Sequence, residues 1–148
     1  MDAIAGVATG GIALGALVAQ ELGLPFIYVR SSAKVHGMGN HIEGDLSAIS
    51  NVVVIEDLIS TGQSSLKAVH ALRESGIEVK GLIAIFTYGF ADAVMAFEKA
   101  NCSFSTLTDY PTMLDQAAQE VYITQDQKMA LDTWSQDPVA WSDKQTSK

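Results

Sequence analysis

Val52-Val53-Val54-Ile55-Glu56-Asp57-Leu58-Ile59-Ser60-Thr61-Gly62-Gln63-Ser64-Ser65 is the stretch on which the fold turns. Its four consecutive β-branched residues read as a strand buried on both faces, as inside a parallel sheet. Beyond it, Leu66, Val69 and Leu72 recur at helical spacing. Two acids and a small-residue loop therefore stand at the carboxyl end of a central strand, just before a helix. Open α/β sheets take ligands at that place.

The loop suits a phosphate. Ser60, Thr61, Ser64 and Ser65 offer hydroxyls, and Gly62 lets the backbone come close. The helix that follows presents free N–H groups and a positive dipole end. Glu56 and Asp57 would repel a phosphate; they suit the hydroxyls of a ribose, or a magnesium ion. A phosphate cup beside a diol grip makes a sugar-phosphate site. The plainer alternative is a strand–turn–helix with a capped helix start. The stretch is not a P-loop, because no Gly-Lys-Ser/Thr follows at the required spacing.

Working outward, 148 residues with 48% hydrophobic and 18% charged content describe one globular domain with a real core. The formal net charge of −8 argues against a nucleic-acid surface, which needs a basic stripe. The single cysteine, Cys102, excludes an internal disulfide framework and is compatible with a reducing cytosol, so a cytoplasmic location is expected. It reads as a small buried hydrophobe. Residues 3–20 carry no charge, and Gly11-Ile12-Ala13-Leu14-Gly15 fits a membrane-helix pattern. No Lys or Arg flanks the segment to orient a span, and Ala8-Thr9-Gly10-Gly11 interrupts it, so a strand followed by a helix is expected and no membrane. Neither His41 nor His70 has metal-ligand spacing with another Cys or His.

In chain order, residues 2–7 read as a buried strand, Ala8-Thr9-Gly10-Gly11 as a tight loop, and Ile12 to Leu22 as a helix stopped by Gly23. This second strand–glycine loop–helix unit is either a second phosphate cup or a simple turn. Phe26 to Val29 is another strand. Arg30-Ser31-Ser32-Ala33-Lys34-Val35-His36-Gly37-Met38-Gly39-Asn40 lacks apolar periodicity and reads as a long loop with three basic residues, able to close over a polyanion. A short strand at residues 41–44, strands at 79–87 and 102–107, and helices at 90–100, 112–120 and from Thr124 or Asp126 toward Trp134 complete a core domain over residues 1–134. The 90–100 helix carries apolar residues at 90, 94 and 97; a polar tail over 135–148 is expected to fray. The alternation predicts an α/β fold: a doubly wound, mostly parallel sheet with helices on both faces.

Ile55-Glu56-Asp57-Leu58-Ile59-Ser60-Thr61-Gly62-Gln63-Ser64 resembles the phosphoribosyl pyrophosphate (PRPP) motif of type I phosphoribosyltransferases, most closely the orotate phosphoribosyltransferases of pyrimidine synthesis. Arg30, then Lys34-x-His36-Gly37, then Ile42-Glu43-Gly44 resembles that enzyme's catalytic loop. The resemblance covers the chain from Asp2 to about Glu120. It implies a type I phosphoribosyltransferase fold and transfer of the 5-phosphoribosyl group from PRPP to orotate, giving orotidine 5-phosphate and pyrophosphate. It implies magnesium as cofactor, with no protein metal ligand assigned, and a homodimer. Lys34 and His36 become the catalytic pair, binding the leaving pyrophosphate with Arg30. Glu56, Asp57, Leu58, Ile59, Ser60, Thr61, Gly62, Gln63 and Ser64 become the PRPP motif, with Ser60 also approaching orotate. Ala8, Thr9, Gly10 and Gly11 become the pyrophosphate loop.

Gln63 departs from the small residue usual at its place. It is bulky near the 5-phosphate, costly if the backbone there needs a positive φ, yet able to donate from its amide. The family also carries an upstream segment that hoods the base, sends a lysine to the neighbouring site and builds much of the dimer interface. This sequence opens at the first core strand, so a chain that binds PRPP but does not by itself turn over orotate is expected. The alternatives are a purine phosphoribosyltransferase, which the Lys34–His36 loop fits poorly, and a non-catalytic PRPP-sensing regulator on the same fold.

Overall fold

The computed structural model describes residues 1–30 and 41–146. Lys34 and His36, and with them Val35, lie outside the described residues.

Six strands form one sheet in the order β3-β2-β1-β4-β5-β6. They are β1 (Ala3–Val7), β2 (Phe26–Val29), β3 (Ile42–Glu43), β4 (Asn51–Ile59), β5 (Glu78–Thr87) and β6 (Phe104–Asp109). All neighbours pair in parallel except β3, which runs antiparallel to β2. The helices are α1 (Gly10–Leu22), α2 (Gln63–Glu74), α3 (Ala91–Lys99), α4 (Tyr110–Gln119), α5 (Gln125–Gln136) and α6 (Pro138–Thr146). From β1 the chain winds toward β3, and from β4 it winds toward β6. The direction of winding reverses between β1 and β4, the switch point at which doubly wound sheets bind ligands.

Alternation along the strands builds two cores. Ala3, Ala5 and Val7 of β1 join Val52 and Val54 of β4 under Ala68, Val69 and Leu72 of α2 and Phe97 of α3. Ile4 and Ile55 point the other way, to Leu14, Val18 and Ala19 of α1. Helices thus lie on both faces, but unequally. Leu82 and Ala84 of β5 are buried on the α2 side, while Ile83 and Ile85 on the α1 side are each 40% exposed. Leu107 of β6, which follows Ser105, the partner of Ile83, is 77% exposed on that same side.

Several boundaries differ from the sequence expectation. β4 runs on through Glu56 and Asp57 to Ile59, because its pairing with β5 continues to Ile59↔Thr87. The acids therefore stand in the strand's last turns of pleat, ahead of the loop. In α3 the buried residues are Ala93 and Phe97, and Val94 faces outward. Phe90 is the cap outside the helix, so its side chain does not set the helical phase. The tail expected to fray contains α6, which packs on α5. Thr124 caps α5 through a reciprocal box with Gln127, its hydroxyl accepting at 3.2 Å and the Gln127 Oε1 accepting from the Thr124 N–H at 2.8 Å. An aromatic cluster docks this end of the chain: Tyr88 stacks on Phe90 at 5.3 Å, and Trp134 of α5 meets Tyr88 at 5.7 Å and Tyr110 at 5.4 Å. Residues 3–20 are β1 and α1, and among the described residues no helix is long and apolar enough to cross a membrane.

Candidate substrate-binding site

Two strand–loop–helix units bring their loops together at the carboxyl ends of β1 and β4. In the second unit, Gly62 is the N-cap of α2 with φ 75° and ψ 1°. No side chain caps this helix and no acid stands in its first turn, so its first N–H groups have no partner inside the helix. In the first unit the Ala8–Thr9 peptide is cis and α1 starts at Gly10, again with no side-chain cap.

A cavity of about 290 Å³ opens between these elements. Its walls are Val7 at the end of β1 with Ala8 just after it, Val29 at the end of β2 with Arg30 just after it, and Thr61, Gln63, Ser64, Lys67 and Ala68 from the α2 end. The uncapped α2 terminus faces it, which is the arrangement that holds a phosphate on backbone N–H groups.

The two acids separate. Adjacent residues of a strand point to opposite faces. Glu56 is 4% exposed; its Oε2 accepts from the Ser65 hydroxyl at 3.0 Å and its Oε1 from the Asp57 N–H at 3.0 Å. Burial pushes its pKa from 4.5 up to about 7, the Asp57 side chain adding to the rise while the Asp57 N–H and Ser65 hydroxyl oppose it. Asp57 is exposed, accepts from the Leu58 N–H at 2.8 Å, and sits on the α1 side against Gly10. A Cβ at Gly10 would collide with the Asp57 carboxylate. That contact explains why glycine stands there, and it ties the first loop to the acids of the second.

The expected site residues divide accordingly. Ala8, Arg30, Thr61, Gln63 and Ser64 line one cavity. Arg30 is paired with Glu43 of β3 at 3.4 Å, longer than a good charge-assisted hydrogen bond. Thr9, Gly10 and Leu58 are exposed, and Ser60 is half-buried. Ile59 has its side chain in the core, and its carbonyl accepts from the Tyr88 N–H and the Thr87 hydroxyl, which fixes the loop to β5. Gly11 is buried, with the Ile55 carbonyl where a Cβ would point, so it serves helix packing.

Two expectations are corrected. Ser65 does not offer its hydroxyl to a phosphate: it is 1% exposed and bound to Glu56. Gln63 does not occupy a positive-φ position, because it is the first residue of α2 and the left-handed residue is Gly62 before it. The motif pattern does not single out Lys67, although its place four residues after Gln63 puts both on one helical face.

Residues 1–92 match the family described as "Phosphoribosyl transferase domain". A protein of Phocaeicola vulgatus named orotate phosphoribosyltransferase is 57% identical over 141 residues, covering 95% of this chain and 66% of its own. One of the same name from Porphyromonas gingivalis is 54% identical, covering 95% and 67%. The chain thus spans about two thirds of the length of the curated relatives it matches. Among solved structures, the orotate phosphoribosyltransferase of Aeropyrum pernix superposes with a TM-score of 0.68 at 27% identity, over 80% of this chain and 66% of that one.

Proposed function

The chain belongs to the phosphoribosyl transferase family, among the orotate phosphoribosyltransferases, and from that premise we propose that it transfers the phosphoribosyl group of PRPP to orotate. The observation that carries the reading is the uncapped α2 terminus behind Gly62, opening on a cavity whose other wall is Arg30. A phosphate monoester fits that end; Asp57, exposed on the α1 side of the same strand end, suits the ribose hydroxyls, with Glu56 buried on the other face.

In this reading Thr61, Gln63 and Ser64 hold the 5-phosphate by backbone and side-chain donors. Glu56 and Asp57 hold the ribose hydroxyls while the anomeric carbon gains positive charge. Arg30, with Lys34 and His36 as the catalytic pair, meets the charge that develops on the leaving pyrophosphate. Ser60, at the edge of the phosphate loop, approaches orotate, and Ala8, Thr9 and Gly10 border the pyrophosphate. Among the described residues no three Asp, Glu, His or Cys side chains gather as a cage. Magnesium would enter with PRPP, whose phosphates offer the hard oxygen ligands it takes, and no protein ligand is assigned to it. When bound, the ion would neutralise pyrophosphate charge. We also propose a homodimer acting in the cytoplasm.

The test is orotidine 5-phosphate formation from PRPP and orotate in the presence of magnesium, by this chain alone and with the family's upstream segment added in trans, with adenine and guanine as competing bases and a nucleic-acid gel shift alongside. Formation with orotate alone supports the reading. Turnover of a purine, or a gel shift without turnover, replaces it with one of the other two.

A further inference from the structure

A cation stands in the cavity wall that the reading above leaves without a role. Lys67 lies on α2 one turn beyond Gln63 and three residues beyond Ser64, and all three line the same cavity. It stands just past the first turn of α2, whose amino end favours a negative charge. α2 carries no acid in its first turn, and a lysine follows directly. Such a pattern suits a helix end meant to receive an anion. Across the cavity Arg30 is engaged by Glu43, whereas among the described residues no carboxylate pairs with Lys67.

We propose that Lys67 is a binding residue for the 5-phosphate of PRPP, its ammonium reaching back along α2 to a phosphate monoester seated on the first-turn N–H groups. The inference rests on the PRPP reading and adds a residue to it. A lysine suits this role, because it is a compact charge on a flexible stem and needs no fixed bidentate geometry. The assignment is to the 5-phosphate, because Lys67 shares its helix face with Gln63 and Ser64. The pyrophosphate is left to Ala8, just past the end of β1, and to Arg30, just past the end of β2, on the other wall of the cavity.

Calorimetric titration of the wild-type chain, K67Q and K67R separates the possibilities, with PRPP, ribose 5-phosphate and inorganic pyrophosphate as probes. K67Q should weaken PRPP and ribose 5-phosphate by about tenfold or more, the range of one charge-assisted hydrogen bond. It should leave pyrophosphate within about twofold, while K67R keeps most of the wild-type affinity. The deficit should shrink as salt rises. Lys67 is exposed, so the melting temperature of K67Q should match wild type. Unchanged PRPP affinity in K67Q would overturn the inference and leave the PRPP reading standing, and so would a loss confined to pyrophosphate. If the folded wild-type chain binds neither PRPP nor ribose 5-phosphate, the site reading falls and Lys67 with it.

Discussion

Glu56 is the residue whose surroundings conflict most with its chemistry. A carboxylate that is 4% exposed has lost most of its water, and one hydroxyl and one N–H return only part of that solvation. Its folded pKa is about 7 against an ordinary 4.5. Between those values the folded chain keeps a proton that the unfolded chain has released. The unfolded state then binds fewer protons, so stability falls as pH rises through this window. At about 1.4 kcal/mol per unit the penalty above pH 7 is at most about 3 kcal/mol. Glu56→Gln removes the charge and keeps the shape. It should raise stability at pH 8 by about 1–3 kcal/mol, with little gain near pH 4.5. Urea denaturation of both proteins at the two pH values measures this. An equal gain at both, or none at pH 8, would refute the assignment.

The element that matters most is the turn from β4 into α2. Gly62 adopts φ 75°, where an L side chain is strained. A Cβ there would also lie 2.6 Å from Cε2 of Phe97, a ring that is 1% exposed in the core. The turn before α2 is thus shaped by α3 as well as by its own residues. Gly62→Ala should cost about 2–4 kcal/mol, combining a left-handed backbone penalty with displacement of a packed ring. It should also lower PRPP affinity, since the α2 terminus must shift. A cost under about 1 kcal/mol in chemical denaturation would mean that the turn relaxes freely and that its shape is not set by Phe97.

Across the whole molecule, α1 packs on Ile4 and Ile55 of β1 and β4, while among the described residues the same side of β5 and β6 is left exposed. Ile83, Ile85 and Leu107 form an exposed apolar strip on β5 and β6, and such strips drive association. The 148-residue chain should therefore associate as its concentration rises, net charge notwithstanding. Leu107→Lys should reduce that association in sedimentation velocity without lowering the melting temperature, because Leu107 is 77% exposed. Unchanged sedimentation in the variant would show that this face does not drive association. The purely local pattern is not enough here. The apolar residues of β5 do not by themselves say which face is covered: β5 is buried on one side, because burial depends on what crosses over the strand and not on the strand's own residues.

Local chemistry determined a good deal of this protein. A β-branched run, a hydroxyl–glycine turn and a helical repeat define β4, the loop and α2, because each signal acts within a few residues. Gly23 at φ 64° and Thr124 with its capping box end and start helices for reasons equally local. What depended on folding in three dimensions was the direction of each side chain at the site. Ser60, Thr61, Ser64 and Ser65 look alike in sequence, but Ser65 turns inward because the buried Glu56 carboxylate lies across from it. Gly10 and Gly11 both read as loop glycines, but Asp57 and the Ile55 carbonyl, distant in sequence, forbid a Cβ at each. Lys67 reads as an ordinary surface lysine until β1 and β2 place their ends beside it. Long-range contact decided these roles, since the partner that gives each residue its role arrives from another strand or helix and leaves no mark on the residue's own neighbours.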